Sequence, residues 1–359
     1  NYLSLEDTVD SDSIISTDKD KIRVKDYSAI SVMSGLKSLY LNSDIIKDIG
    51  FIKGLPALED LTLEDTAVIS LASLSEMPAL RSLTLLGNNK VQDFGPVGTA
   101  PGLTSLSIDK MTSQPDPDLS SLSSLEKLDI KGFMSISSVR GLSGLKELSI
   151  HNCNVDQADA LSSLTGVERL TFYSVWNSQG NLRSLDFLKG MTGLKYADFT
   201  GNLDGTGWSG YNYLVEVYGD VSSIFNHQGL EELYLDNGKF EINFDKIKEN
   251  PGLRVLSLRN MELHKNYYVE SYGGMTSVWY DDVKLGEHMD ILSRFPNLEE
   301  LYLDSNELTD LNFAAGLKNL KRLGLKDNYI TDLSPLKQAE FLEYLDIRDN
   351  PVGEVGDVG

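Results

Sequence analysis

The chain has 359 residues, of which 41% are hydrophobic and 24% are charged. This composition is that of a globular protein with a large core, and it excludes a disordered chain. Acidic residues outnumber basic residues by 54 to 32, and the formal net charge of −22 makes nucleic acid and anionic membranes unfavourable partners. No uninterrupted apolar run approaches the roughly 18 residues that a membrane-spanning helix needs.

The beginning of the chain is the least regular part of the sequence. It starts at Asn1 instead of methionine, which indicates that an upstream segment has been removed, either by a signal peptidase or by truncation. Residues 1–18 are acidic and rich in serine, and we predict that they are poorly ordered. Residues 19–35 place Ile22, Val24 and Ile30 at apolar positions, which predicts a degenerate repeat that caps the core.

A repeat of the form L-x-x-L-x-L organises the remainder of the chain. Two apolar residues in each copy alternate with polar ones, which is the period of a strand with one buried face. Most intervals between copies are 22 or 23 residues. The thirteen copies begin at Leu36, Leu58, Leu80, Leu103, Leu125, Leu145, Val167, Leu194, Leu230, Leu253, Leu298, Leu320 and Leu342. Stacked copies are expected to form a parallel sheet over one continuous core.

The copy that begins at Leu320 extends the pattern to L-x-x-L-x-L-x-x-N-x-I-x-D-L-x-x-L. This pattern resembles the leucine-rich repeats of the short 22-residue class found in bacterial internalin-like proteins, and the resemblance covers about nine-tenths of the chain. It implies an α/β fold: a right-handed solenoid, or horseshoe, with a parallel sheet on the concave side and 3₁₀ or short helices and loops on the convex side. A single solenoid domain is therefore expected over residues 19–359.

The resemblance also implies a function. Proteins of this kind are recognition scaffolds without catalytic residues, a cofactor or a metal, and they are secreted from a bacterial cell or displayed on its surface. The implied partner is a protein, either of a host or of a bacterial surface. Two alternatives stay open: a carbohydrate-binding or glycan-acting surface protein, and an intracellular scaffold or regulator.

One position of the repeat predicts a buried polar ladder. Asn306, Asn328 and Asn350 each lie eight residues after the first leucine of their copies, where the chain leaves the strand and its backbone groups lose their sheet partners. A buried amide at this position satisfies those groups. Cys153, the only cysteine, occupies the same position, so we predict a small buried residue instead of a reactive thiol.

Two large insertions interrupt the repeat, at residues 201–229 and 262–296. In the first, Tyr211–Tyr218 is strand-like, and Asp220 or Ser222 is a candidate cap for a short helix that ends at Gly229.

The second insertion has two β-prone runs around Gly273 and Gly274, which predict a hairpin. Four apolar residues then recur at helical spacing and predict an amphipathic helix that packs on the core. They are Leu285, Met289, Leu292 and Phe295. Both insertions start just after a strand, so their stems are expected on one rim about 10 Å apart. We predict that the Tyr211–Tyr218 strand and the hairpin form one aromatic flap beside the concave face.

The outward positions of the predicted strands in the second half of the chain are rich in tyrosine and acidic residues, with a few arginines. Exposed tyrosine and tryptophan are common anchors in protein interfaces. We call eight of these outward residues the tyrosine–acid lane: Tyr173, Tyr196, Asp198, Tyr234, Asp236, Arg259, Tyr302 and Asp304. The candidate binding residues in the insertions are Trp208, Tyr211, Tyr213, Trp279 and Tyr280. A competing explanation is that lane tyrosines only pack against same-face neighbours, and that the insertions bury their own aromatic residues.

Signals for catalysis or a cofactor are weak. Residues 205–210 match G-x-G-x-x-G, but the strand-like Tyr211–Tyr218 follows where a dinucleotide site needs a helix. His264 and His288 lie among acidic residues without a known ligand spacing, so no metal is expected. The row of lane carboxylates could in principle bind calcium or act in sugar hydrolysis, although such rows are more often a solvated acidic surface.

Overall fold

The computed structural model describes most of the chain. The described residues are 2–6, 27–87, 90–91, 93–110, 116–173, 185–201, 220–272 and 275–353. For residues 2, 4–6, 239–240, 264–272 and 275–280 it describes the backbone alone. The chain divides into two compact units, Asn1–Cys153 and Asn154–Gly359.

The first unit contains seven described strands of five residues each, which pair in parallel in chain order. They are β1 (Tyr2–Glu6), β2 (Ser38–Asn42), β3 (Asp60–Glu64), β4 (Ser82–Leu86), β5 (Ser105–Asp109), β6 (Lys127–Lys131) and β7 (Glu147–His151). Short 3₁₀ helices return the chain from one strand to the next. They are η1 (Ser28–Val32), η2 (Gly50–Gly54), η3 (Ala72–Glu76), η4 (Gly95–Thr99) and η5 (Ser137–Val139).

The second unit contains two sheets. Its strands in chain order are β8 (Arg169–Tyr173), β9 (Tyr196–Asp198), β10 (Glu232–Tyr234), β11 (Lys239–Phe240), β12 (Val255–Ser257), β13 (Glu262–Tyr272), β14 (Met275–Val283), β15 (Glu300–Tyr302), β16 (Arg322–Gly324) and β17 (Tyr344–Asp346). Strands β8, β9, β10, β12, β15, β16 and β17 pair in parallel in that order, whereas β11, β13 and β14 form a separate sheet. The helices are η6 (Ala158–Ser163), η7 (Asp186–Gly190), η8 (Ser222–Asn226), η9 (Phe244–Lys246), η10 (Leu285–Arg294), η11 (Asn312–Gly316) and η12 (Ser334–Gln338), all of the 3₁₀ type.

Each of the thirteen copies of the repeat supplies one strand of the parallel sheets, as the pattern predicts. Inward residues such as Leu301, Leu303 and Leu323 are fully buried, while the residues between them are partly exposed. Phenylalanines fill the wider repeats of the second unit: the Phe172 ring packs edge-on against Phe199 at 5.2 Å between centroids. The predicted leucine-rich-repeat solenoid, with parallel strands and short 3₁₀ segments, is confirmed.

The N-terminal prediction needs a correction. Residues 1–18 are predicted to be poorly ordered, yet Tyr2–Glu6 forms β1 and pairs in register with β2, so that Leu3 lies beside Leu39. Residues 7–18 lie outside the described residues, and for them the prediction is not tested. The strand next to β2 therefore comes from the first residues of the chain and not from the predicted degenerate copy at 19–35. The alternation in Tyr2–Glu6 was a signal for this strand. Ile30 is buried as predicted, whereas Ile22 and Val24 lie outside the described residues.

The predicted amide ladder is present at the strand exits. The side-chain oxygen of Asn328 accepts hydrogen bonds from the backbone amides of Asn306 and Leu308, both at 3.0 Å. Its side-chain nitrogen donates to the carbonyls of Leu303 and Leu325 at 3.0 and 2.9 Å. One side chain thus satisfies four backbone groups where the sheet ladder ends.

Cys153 fills the same position in the first unit and is fully buried. Its sulfur accepts a hydrogen bond from the Phe133 amide at 3.3 Å and contacts the His151 carbonyl at 3.1 Å. Burial raises the pKa of the thiol to about 12. The prediction of a buried cysteine in an asparagine position is confirmed.

The second insertion contains the predicted hairpin. Strands β13 and β14 pair antiparallel up to Tyr272 and Met275, on either side of the two glycines. The following helix is confirmed as core: Leu285, Met289 and Leu292 are buried, as is Phe295 directly after it.

The stems of the two insertions are neighbours, as expected. Asp220, in the last third of the first insertion, bridges to Glu241, while β11 pairs with the first residues of β13. The short segment 239–241 therefore lies between the two stems. The helix predicted near Ser222 is present as η8, and the Ser222 amide donates to the Asp220 carboxylate at 2.9 Å. The predicted strand Tyr211–Tyr218, and with it the predicted flap, lies outside the described residues.

Candidate functional site

The tyrosine–acid lane lies on the exposed face of the parallel sheet of the second unit. Strand pairing places Tyr196 beside Glu232, and Asp198 beside Tyr234. The rings of Tyr196 and Tyr234 are half-buried, whereas Tyr173 is 53% exposed. These outward side chains alternate with the buried leucines, because successive residues of a strand point to opposite faces.

Tyr196 and Tyr234 form an aromatic pair, with ring centroids 5.3 Å apart and planes tilted by 42°. The Arg169 guanidinium carbon lies 3.6 Å from the centre of the Tyr196 ring. The Tyr196 hydroxyl donates to Asp198 at 3.2 Å, and burial together with this carboxylate raises the pKa of Tyr196 to about 12. The phenol therefore stays neutral at any physiological pH.

Arg259 joins two acidic lane residues across three strands. Its Nη1 lies 3.0 Å from Asp236 and its Nε lies 2.7 Å from Asp304. Burial opposes the charge of Arg259, but the two carboxylates outweigh it and raise the pKa of the guanidinium. Asp236 is only 6% exposed and also accepts a hydrogen bond from the Ser257 hydroxyl at 2.6 Å. The carboxylates of Asp236 and Asp304 are thus held by an arginine, which does not favour the calcium or hydrolytic alternatives.

The Tyr302 ring is held from both sides. The Arg259 guanidinium lies 4.2 Å from the ring centre, and the hydroxyl donates to Glu300 at 2.7 Å. Arg322 donates from Nε to the same hydroxyl at 3.3 Å, and its guanidinium lies 4.6 Å from the ring centre of Tyr344. Each contact between a guanidinium and a ring contributes roughly 0.5–1 kcal/mol at an exposed site.

The lane tyrosines therefore pack against neighbours on the same face and still present part of their rings to solvent. Sequence reasoning placed the lane residues on one face. The structure brings seven of them together, on β9, β10 and β15 and just after β10, β12 and β15, while Tyr173 lies on β8. It missed Arg169 and Arg322, which stack on tyrosines of the next strand. The signal for both was available, because each stands at the outward position directly before a tyrosine in the following copy.

The remaining candidate residues are described less fully. Trp208, Tyr211 and Tyr213 lie outside the described residues, as does the G-x-G-x-x-G segment. Trp279 and Tyr280 lie in β14, where the structure describes their backbone but not their side chains.

The histidines of the second insertion were weighed as metal ligands. The ring of His288 stacks on Phe244, with centroids 4.1 Å apart, so it takes part in packing. The side chain of His264 lies outside the described set. Within the part of the chain that the structure describes, no three His, Cys, Asp or Glu side chains come together as a metal site would require.

An open cavity of about 490 Å³ lies at the starts of strands β12, β15 and β16. Phe341, which is 60% exposed, forms part of its wall. Its charged residues are paired with one another: Glu299 accepts from Arg254 and, at 2.8 Å, from Lys321. With its charges already compensated, the cavity does not indicate a charged ligand.

None of the helices in the described ranges has the length and apolar character that spanning a bilayer requires.

Comparisons with known proteins identify the fold. Residues 296–338 match the family model for leucine-rich repeats in two copies. The chain is similar to the crystal structure of an internalin from Listeria monocytogenes, with a TM-score of 0.60, 20% identity, and coverage of 89% of this chain and 82% of that one. It is also similar to a leucine-rich-repeat protein of Leptospira interrogans, with a TM-score of 0.56, 18% identity, and coverage of 90% and 81%. No curated protein matches the sequence. The resemblance to internalin-like repeats is thus confirmed at the level of the fold.

Proposed function

We propose that this leucine-rich-repeat protein is a non-enzymatic recognition scaffold that binds a protein partner through the exposed sheet face of its second unit. The observation that supports this most directly is the chain of half-exposed tyrosines and arginines across strands β8 to β17. Tyrosine and arginine are the residues most enriched at energetic centres of protein interfaces. Repeat scaffolds commonly use an extended sheet face of this kind for binding.

The contacts within the lane divide its residues into two groups. Asp236, Arg259 and Asp304 satisfy one another, so we assign them the role of holding the surface in place. Tyr173, Tyr196, Asp198, Tyr234 and Tyr302 keep exposed atoms and are the proposed partner contacts. Because neighbours already hold Tyr196, Tyr234 and Tyr302, little side-chain entropy is lost when a partner binds.

The proposal is tested by replacing Tyr196, Tyr234 and Tyr302 together by alanine. The matched control is Tyr40→Ala, because Tyr40 lies on the exposed sheet face of the first unit and its hydroxyl also donates to a carboxylate, that of Glu64 on the next strand. Affinity capture with mass spectrometry is expected to recover a protein with the wild type and with the control, and to lose at least nine-tenths of it with the triple variant, since hot-spot tyrosines contribute roughly 2 kcal/mol or more each.

Circular dichroism is measured on all three proteins, because the triple variant also loses ring contacts and hydrogen bonds. A folded triple variant that captures the same proteins as the wild type would contradict the proposal.

Location at a bacterial surface, or secretion, is part of the same proposal. The likeness to an internalin fold supports it. The carbohydrate-binding alternative depends on Trp208 and Trp279, whose side chains are not among those described, and it stays a prediction, as does the intracellular alternative.

A further inference from the structure

Arginine side chains stack on several tyrosine rings of the exposed face, but not on the ring of Tyr234. In three cases the guanidinium over the ring comes from the preceding strand of the sheet or from the residues just after it. These pairs are Arg169 on Tyr196 at 3.6 Å, Arg259 on Tyr302 at 4.2 Å and Arg322 on Tyr344 at 4.6 Å. At Tyr234 the preceding strand supplies the Tyr196 ring instead. In the described chain, no lysine or arginine lies over the Tyr234 ring.

The next strand, β12, has short side chains at its outward positions. Val255 is partly exposed, whereas Ser257 is fully buried and donates to Asp236 at 2.6 Å. The strands on either side of β12 are β10 and β15, and both have the sequence Glu-Leu-Tyr. They lie about 10 Å apart because β12 is between them. The register aligns Glu232 with Val255 and Glu300, and Tyr234 with Ser257 and Tyr302. Because the short Val255 side chain stands between two glutamates, we expect a depression one strand wide at this position, with Val255 as its floor.

The charge in this depression is negative. Glu232 accepts a hydrogen bond from the Tyr234 hydroxyl at 3.1 Å, and among the described side chains no lysine or arginine pairs with it. Burial and the Glu232 charge both raise the pKa of Tyr234 above its ordinary value. Across the depression, Glu300 has a single cation, Arg322, at 3.9 Å. One carboxylate beside an uncovered ring is thus uncompensated.

We propose that this depression binds one basic side chain of the protein partner, arginine in preference to lysine. The guanidinium lies over the Tyr234 ring and between the carboxylates of Glu232 and Glu300, with its aliphatic stem on Val255. The protein places a guanidinium over a tyrosine ring three times within itself, and at Arg259 that guanidinium also pairs with two carboxylates. A planar guanidinium can stack flat on a ring while it donates from its edge to carboxylates, whereas a lysine ammonium is a compact charge that does not stack. This inference rests on the proposed function and deepens it by naming the chemistry of one contact.

The test uses two acetylated and amidated pentapeptides, Gly-Ser-Arg-Ser-Gly and its counterpart with neutral citrulline in place of arginine. The protein carries ¹³C-labelled tyrosine rings, and the Tyr234 signal is assigned with Tyr234→Phe. The arginine peptide is expected to shift this signal saturably, and the citrulline peptide to bind about threefold to tenfold more weakly, which is the range for one exposed charge pair with a ring contact. Glu232→Gln is expected to weaken the arginine peptide by a similar factor. Glu231→Gln is the matched control, because it removes the same charge from the adjacent exposed residue and should leave binding unchanged.

Equal affinities for the two peptides, equal affinities of Glu232→Gln and the wild type, or no saturable shift up to about 10 mM peptide would each overturn the inference. The two proposals fail separately. If arginine binding is absent while the triple tyrosine variant still loses its captured protein, the recognition surface stands and only the basic contact is refuted.

Discussion

At the scale of single residues, side chains of the tyrosine–acid lane hold their neighbours in place and also remain partly exposed to solvent. Arg259 compensates two carboxylates and covers one ring, so its removal would leave Asp236 buried without a cation. An uncompensated buried charge is among the more costly defects that one substitution can create. We infer that the arginine at this position fixes the arrangement of its neighbours more than it contacts a partner.

Cys153 provides a residue-scale prediction. Because the thiol is fully buried and its pKa is raised to about 12, the folded protein should not react with a disulfide reagent such as dithionitrobenzoate at pH 8. One thiol per chain should react once denaturant is added. Rapid stoichiometric labelling without denaturant would show that the sulfur is accessible, contrary to its place in the asparagine position.

At the scale of elements, the strand exits are stabilised by side chains, since the strands of the second unit are only three residues long from β9 onward in the parallel sheet. The backbone turns sharply at these exits: Ser305 and Asp327, each next to a ladder asparagine, have φ of 57° and 56°. The ladder amides then satisfy groups that would otherwise be buried without partners. The repeat sequence predicts this element because the asparagine spacing is regular.

Asn328→Ala tests the ladder. It leaves four buried backbone groups without their side-chain partner, and we expect it to lower the free energy of unfolding by about 2–4 kcal/mol. Asn319→Ala, at an exposed amide directly before this copy of the repeat, should cost less than about 1 kcal/mol. Denaturant unfolding followed by circular dichroism measures both. Similar losses for the two variants would argue against a special role of the buried ladder.

The insertions show how far an element can be predicted from local sequence. The β13–β14 hairpin and the buried face of η10 follow from local patterns, namely a glycine pair between β-prone runs and apolar residues at helical spacing. The pairing of β11 with β13 could not be read in this way, because it joins residues in different copies of the repeat and is decided by how those copies stack.

At the scale of the whole molecule, the pKa values predict behaviour in alkali. The pKa of Cys153 rises from 9.0 to about 12 and that of Tyr196 from 10.0 to about 12, and Tyr234 shifts in the same direction. A group whose pKa is higher in the folded state favours folding while it is protonated. This contribution is complete below the unfolded pKa and is lost as the pH rises through the folded value.

We therefore expect the denaturant concentration at the unfolding midpoint to decrease as the pH is raised from about 9 to about 12. Denaturant titrations at fixed pH values measure this fall. Replacing Cys153 by alanine and Tyr196 by phenylalanine removes two of the titrating groups and should make the unfolding midpoint depend less on pH. A midpoint that stays constant over this window would contradict the predicted burial of these groups.

The sequence by itself determined the parallel strands, their register and the face on which the lane lies, because a 22-residue period leaves one way for the leucines to share a core. It did not determine how side chains on that face divide between internal contacts and exposure. Only the tertiary structure decided that Arg259 lies between Asp236 and Asp304 and that Arg169 and Arg322 cover tyrosines. These outcomes depend on which side chains meet across neighbouring strands, and long side chains have several rotamers that the pattern of leucines does not constrain.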